Sequence, residues 1–140
     1  MNATVNVGHV RVLVVEDDVD MRRAIREVFQ MRGFAVNTAG DGQAALNLAA
    51  VDDYDVVVTD VRMPGITGID LTRRILARRP SSKVIVITAF PEWKVCQEAR
   101  AAGASMVMTK PITLATLAEA VEQLVEPRAA VDDRDYGGEA

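Results

Sequence analysis

The chain has 140 residues, enough for one domain of ordinary size and too few for two. At 49% hydrophobic it can bury a sizeable core unaided, and its one cysteine, Cys96, excludes an intrachain disulfide and fits a reducing compartment. A net charge of −4 and a pI near 5.0 argue against a general nucleic-acid surface, and no run approaches the ~20 apolar residues that span a bilayer.

Residues 1–8 lack a basic start and an apolar stretch, so they read as a flexible N-terminus, not a signal peptide, and the expected location is the cytoplasm. Asn2-Ala3-Thr4 matches a glycosylation sequon by chance on this reading. His9 reads as a surface residue. Strands are expected near 10–16, 34–38, 55–60, 83–88 and 105–109. Four of them are continuous Val/Ile/Leu/Met runs, as parallel strands covered on both faces require. The second alternates weakly and suits a sheet edge.

Helices with a period near 3.6 lie between the strands. The first puts Met21, Ile25, Val28, Phe29 and Arg32 on one face, with Asp18 or Asp20 as cap and Gly33 as stop. The second runs from about Gly42 to Ala50. Thr67 is placed to cap the third, which points Leu71 and Ile75 inward and carries Arg73, Arg74, Arg78 and Arg79, read as a solvated face. The fourth starts at Pro91, a favoured first helical position, ends near Gly103 and turns Val95, Cys96 and Ala99 inward. The fifth, 113–126, has Leu114, Leu117, Val121 and Leu124 on one stripe. From Pro127 the chain turns acidic and Gly-containing, and 127–140 reads as a disordered tail or truncated linker.

Five βα units predict an α/β three-layer sandwich, a (βα)5 doubly wound, flavodoxin-like domain over 9–126. Its five-stranded parallel sheet takes the order 2-1-3-4-5. That order opens a switch point between the ends of strands 1 and 3, where open α/β sheets bind ligands.

The strand ends carry the chemistry. The first ends in Glu16-Asp17, the third in Asp60, the fourth in Thr88 and the fifth in Lys110. Three converging carboxylates repel one another unless one is protonated or a cation joins them. An all-oxygen set suits a hard divalent ion, with Mg²⁺ the default. Mg²⁺ beside a carboxylate, facing a lysine and a hydroxyl, suits phosphoryl transfer with Asp60 as nucleophile. Blander readings exist for each part. The acids could cap the first helix, Asp60 and Met63-Pro64-Gly65 could form an ordinary turn, and Lys110 could be a surface cation.

The motifs Val-Val-Glu16-Asp17-Asp18, Thr-Asp60-Val-Arg-Met63-Pro64-Gly65, Ile-Thr88-Ala89 and Thr-Lys110-Pro111 together resemble the receiver domain of bacterial two-component response regulators, the CheY-like superfamily. The resemblance covers roughly residues 9–126. It implies phosphorylation of Asp60 by a sensor histidine kinase or a histidine phosphotransfer protein. It also implies Mg²⁺ held by Glu16, Asp17, Asp60 and the main-chain carbonyl of Arg62, with Lys110 on the phosphoryl group and a cis Lys110-Pro111 bond. The output is then a change of surface on helix 4, strand 5 and helix 5, around Trp93, Val107 and Ala118. That change is read by a downstream protein or an output domain, with neither nucleic acid nor membrane bound directly and a phosphorylation-dependent homodimer left open. Such a domain is not an enzyme beyond its own phosphorylation and dephosphorylation. A Mg²⁺-dependent haloacid-dehalogenase-like phosphatase is the enzyme alternative, but it expects an Asp-x-Asp motif on the first strand, and the second position after Asp60 is Arg62.

Two departures stand out. Many receivers carry a switching aromatic on strand 5 where this chain has Val107, so Thr88, Phe90 and Trp93 become the switch candidates. In this family, positions matching Arg62 and Phe90 flank the hydrolytic water. Phe90 offers no acid or base to orient it, which predicts a long-lived phosphoryl group.

Overall fold

The structure, a computed structural model, describes residues 10–89 and 92–131, with the side chains of the last helix described through residue 125. Five strands and five helices alternate: β1 Arg11–Val15, α1 Val19–Met31, β2 Ala35–Ala39, α2 Gly42–Val51, β3 Val56–Asp60, α3 Gly68–Arg78, β4 Lys83–Thr88, α4 Trp93–Ala101, β5 Met106–Thr109 and α5 Leu114–Val131. The strands are parallel in the order β2-β1-β3-β4-β5, as the alternation of elements predicts.

The continuous apolar runs follow from burial on both faces. On one face Val12, Val14, Val56, Val58, Ile85 and Ile87 pack against Ile25 and Phe29 of α1 and Leu117 and Val121 of α5. On the other, Leu13, Val15, Val57, Val84 and Val86 pack against Ala45 of α2, Leu71 and Ile75 of α3, and Ala99 of α4. Phe29 and Phe34 meet edge to face with ring centroids 5.8 Å apart, the geometry that ring quadrupoles favour. β2, at the sheet edge, keeps Ala35 and Asn37 exposed.

The helix ends obey local rules. Asp18 caps α1 by accepting from Met21 N–H, and Gly33 follows its end at φ 91°, a left-handed conformation that glycine adopts without steric cost. Thr67 caps α3 through Asp70 N–H. Thr67→Ala is expected to cost about 1 kcal/mol, read as a lower urea midpoint at unchanged slope.

Several expectations need correction. α4 begins at Trp93, with Glu92 as its cap residue, and ends at Ala101; Pro91 lies outside the described residues, as do His9 and Phe90. Cys96 is half-buried, because α4 turns Ala99, not the thiol, into the core. Met21 is 37% exposed, one turn above the buried pair Ile25 and Phe29. The last helix crosses the expected boundary at 126 and runs to Val131. Pro127 removes one helical N–H, but Arg128, Ala129 and Ala130 are strong helix formers. Of the expected tail, 132–140 lies outside the described residues. Among the described residues, no helix is long and apolar enough to cross a membrane.

Candidate functional site

The fold brings the strand-end residues together. β1 and β3 are neighbours, so their ends place Glu16 and Asp17 beside Asp60. Each of these three offers a carboxylate oxygen, and the three oxygens lie within 4.8 Å of one another. Glu16 and Asp60 are buried, 4% and 6% exposed, whereas Asp17 is exposed. Lys110, just past β5, reaches across β4. Its Nζ sits 3.0 Å from Asp60 Oδ1, donates to Oδ2 at 3.1 Å and lies 3.7 Å from Glu16 Oε1. Thr88 is buried at the end of β4, and the Lys110-Pro111 bond is cis. Arg62 is exposed in the loop after β3.

The loop after β1 is held at several points. Glu16 N–H donates to the Ala39 carbonyl at 3.1 Å, Glu16 Oε2 accepts from Asp18 N–H at 3.1 Å, and Arg22 Nη1 donates to the Glu16 carbonyl at 2.8 Å. The backbone under Asp60 is held as closely. The Thr59 hydroxyl donates to the Asp60 carbonyl at 2.9 Å, and Gly68 N–H donates to the Val61 carbonyl at 2.9 Å. A Cβ on Gly68 would stand 1.9 Å from the Asp60 carbonyl oxygen.

Burial pushes the Glu16 carboxyl up to about 7, helped by its contact with Asp60 and opposed by Asp18 N–H and the Lys110 charge. Burial acts to lower the Lys110 ammonium, but the hydrogen bond and charge of Asp60 outweigh it and raise it. Burial and the neighbouring Asp60 thus let Glu16 retain a proton near neutrality despite the Lys110 charge. The donor set fits a hard divalent cation. It is all oxygen, and Asp60 Oδ1 is buried with no hydrogen-bond donor despite the nearby ammonium. Glu16, Asp17 and Asp60 are the side chains that would hold Mg²⁺.

This arrangement would make cation binding pH-dependent. The folded pKa of Glu16 exceeds its ordinary 4.5, so this group favours the metal-free fold below pH 4.5 and loses that contribution as pH rises through about 7. Mg²⁺ would need the ionised carboxylate and would compete with the proton. With a pKa of about 7, apparent Mg²⁺ affinity is expected to fall about ten-fold from pH 8 to pH 6. Calorimetric titration across that range checks this, and a flat profile would show that Glu16 is already ionised.

Of the switch candidates, Thr88 and Val107 lie on the neighbouring strands β4 and β5, and Phe90 lies outside the described residues. Val107 is half-buried and packs against the core on the α2–α3–α4 face. Trp93 stands 74% exposed on the first turn of α4. Arg22, Thr59 and Gly68 escaped the reading of the sequence. Gly68 alone carries a signal, a poor helix former at the first helical position behind a threonine cap.

Comparison with known proteins identifies the family. Residues 12–122 match the family model described as the response regulator receiver domain. The chemotaxis protein CheY-3 of Vibrio cholerae is 36% identical over 129 residues, 90% of this chain and 98% of that protein. The transcriptional regulatory protein PdtaR of Mycobacterium tuberculosis is 37% identical over 116 residues, 82% of this chain; the chain spans only about half, 56%, of PdtaR. Among solved structures, the response regulator TrrA of Thermotoga maritima in complex with Mg²⁺-BeF superposes with a TM-score of 0.75 at 30% identity, covering 84% of this chain and 100% of that one.

Proposed function

Because the chain belongs to the response regulator receiver domain family of two-component signalling, we propose that it is a phosphoacceptor switch in which Asp60 takes a phosphoryl group from a histidine donor. One observation carries the reading: a buried carboxylate at the end of β3 faces two acids on one side and an ammonium on the other, with one of its oxygens lacking a hydrogen-bond donor.

In the proposed reaction a carboxylate oxygen of Asp60 attacks phosphorus, the O–P bond forms, and the N–P bond of the donor phosphohistidine breaks. Lys110 already touches both Asp60 oxygens and follows the charge onto a phosphoryl oxygen. Mg²⁺, when bound, would supply positive charge that stabilises phosphoryl transfer. Glu16, Asp17 and Asp60, with the main-chain carbonyl of Arg62, would hold it; the similar response regulator TrrA is described in complex with Mg²⁺-BeF. The Thr88 hydroxyl, buried on the neighbouring strand, donates to the phosphoryl group and carries the change outward.

Val107 cannot reorient as a ring, so the relay runs through Thr88 and the start of α4, where Trp93 is exposed to a partner. Phe90, between them, is the other candidate and lies outside the described residues. The partners are a histidine kinase or phosphotransfer protein upstream and a protein or output domain downstream. On this reading the chain turns over no external substrate.

The test is phosphoryl uptake from a phosphoramidate donor or a histidine kinase. The expected product is one phosphoryl group per chain that needs Mg²⁺ and is released by hydroxylamine, as acyl phosphates are. Continuous hydrolysis of a phosphate ester, without a stable phosphorylated chain, would instead point to a phosphatase.

A further inference from the structure

We infer that Arg22 is a positioning residue of the cation site, fixing the Glu16-Asp17 loop so that both carboxylates face Asp60. This rests on reading the centre as a Mg²⁺-dependent phosphoacceptor site, and it assigns a role to a side chain that touches neither phosphoryl group nor metal.

The geometry distinguishes Arg22 from its neighbours. Arg22, Arg23 and Arg26 line one groove of about 160 Å³ beside Thr38, yet Arg23 and Arg26 are exposed and Arg22 is half-buried. Its Nη1 donates to the Glu16 carbonyl at 2.8 Å. The same guanidinium lies against Gly40, just after β2, where an added Cβ would stand 3.0 Å from Nη1. One planar group thus bonds the end of β1 and lies against the corner after β2. The backbone makes the matching tie, Glu16 N–H to the Ala39 carbonyl at 3.1 Å. Glu16 is therefore held on both sides of its Cα, by backbone on one and by Arg22 on the other. The carbonyl that Arg22 holds belongs to the peptide leading into Asp17, so freeing it lets the Asp17 carboxylate swing.

The sign of the effect separates this role from simple electrostatics. A cation beside a cation site repels the incoming ion, so removing Arg22 should tighten Mg²⁺ binding if charge alone mattered. If Arg22 positions the loop, removing it weakens binding although one positive charge is gone. Residues that orient metal ligands without touching the metal are typically worth about ten-fold or more in affinity.

The experiment is calorimetric titration of the full chain with Mg²⁺, wild type against Arg22→Met and Arg22→Lys, with phosphoryl uptake measured alongside. Arg22→Met is expected to weaken Mg²⁺ binding about ten-fold, while unfolding by urea without metal changes much less. Arg22→Lys keeps a donor that can reach the carbonyl and should stay within about three-fold of wild type. Arg22→Met binding Mg²⁺ as tightly as wild type, or more tightly, overturns the inference while wild-type phosphoryl uptake leaves the phosphoacceptor reading standing. Should wild type neither bind Mg²⁺ nor take up phosphoryl groups, both fall together. If Arg22→Met does not fold, Arg22→Gln decides: its shorter chain removes the guanidinium that bonds the Glu16 carbonyl, and Mg²⁺ affinity equal to wild type there overturns the inference.

Discussion

Asp60→Asn is expected to reduce phosphoryl uptake by more than about 10³-fold, to below detection, because a carboxamide oxygen is a poor nucleophile and no other group stands in its place. Lys110 contacts both Asp60 oxygens at 3.0 and 3.1 Å, whereas its nearest Glu16 oxygen is 3.7 Å away. Glu16 also retains its proton up to about 7, which leaves it a weak substitute. The variant should nevertheless fold. Asp60 is one of the causes that raise Glu16, so neutralising it relieves repulsion inside the metal-free cluster and offsets the ion pair lost by Lys110. The expected readout is therefore a metal-free melting temperature equal to or above wild type, together with lost phosphorylation. Uptake at more than a few per cent of wild type, or peptide mapping that finds the group on Asp17, would remove Asp60 from its role. The paired measurement matters because lost uptake with lost folding would say nothing about the nucleophile.

The site was legible in the sequence where strand ends alone set positions. Continuous Val/Ile runs mark buried parallel strands, alternation of elements sets the sheet order, and that order brings Glu16, Asp17, Asp60, Thr88 and Lys110 to one edge. What stayed hidden depends on single contacts between distant or generic residues. Arg22 is one of three arginines on α1, and only the turn that aims it at the Glu16 carbonyl separates it from Arg23 and Arg26. At the opposite end of the sheet, Tyr54 donates to Asn37 Oδ1 at 2.8 Å, lies under the Arg11 guanidinium and offers its carbonyl to Ser82 at 2.7 Å. Arg79 also donates to that carbonyl, so one of the four arginines read as solvated is tied down beside Asp55. Residue types do not announce such networks, since each member is common at a surface. The extent of α5 was missed for another reason. Proline is a strong stop signal in sequence but removes only one rung of an established helix, and the residues around Pro127 outvote it.

Gly68→Ala tests whether the floor beneath Asp60 is as tight as the structure has it. Two effects of opposite sign compete. Alanine is a better helix former than glycine by about 1 kcal/mol, and Gly68 is the first residue of α3, so propensity alone favours the change. Against that, the new Cβ would stand 1.9 Å from the Asp60 carbonyl oxygen and 2.8 Å from its carbon. Both are backbone atoms, which no rotamer change can move aside. Relief requires α3 to shift off β3, and overpacking of this kind costs about 3 kcal/mol. The clash therefore wins. The shift strains the Gly68 N–H bond to the Val61 carbonyl and the Thr72 hydroxyl bond to the Gly68 carbonyl, both made by Gly68 itself. Because the displaced atom belongs to Asp60 itself, phosphoryl uptake should fall together with stability. Gly65→Ala is the matched control. Gly65 sits at φ 79° with nothing within 4 Å of an added Cβ, so the cost there is backbone strain alone, about 1–2 kcal/mol. Urea unfolding should rank the proteins as wild type, then Gly65→Ala, then Gly68→Ala. A Gly68→Ala protein as stable as wild type would mean that α3 does not press on the Asp60 carbonyl.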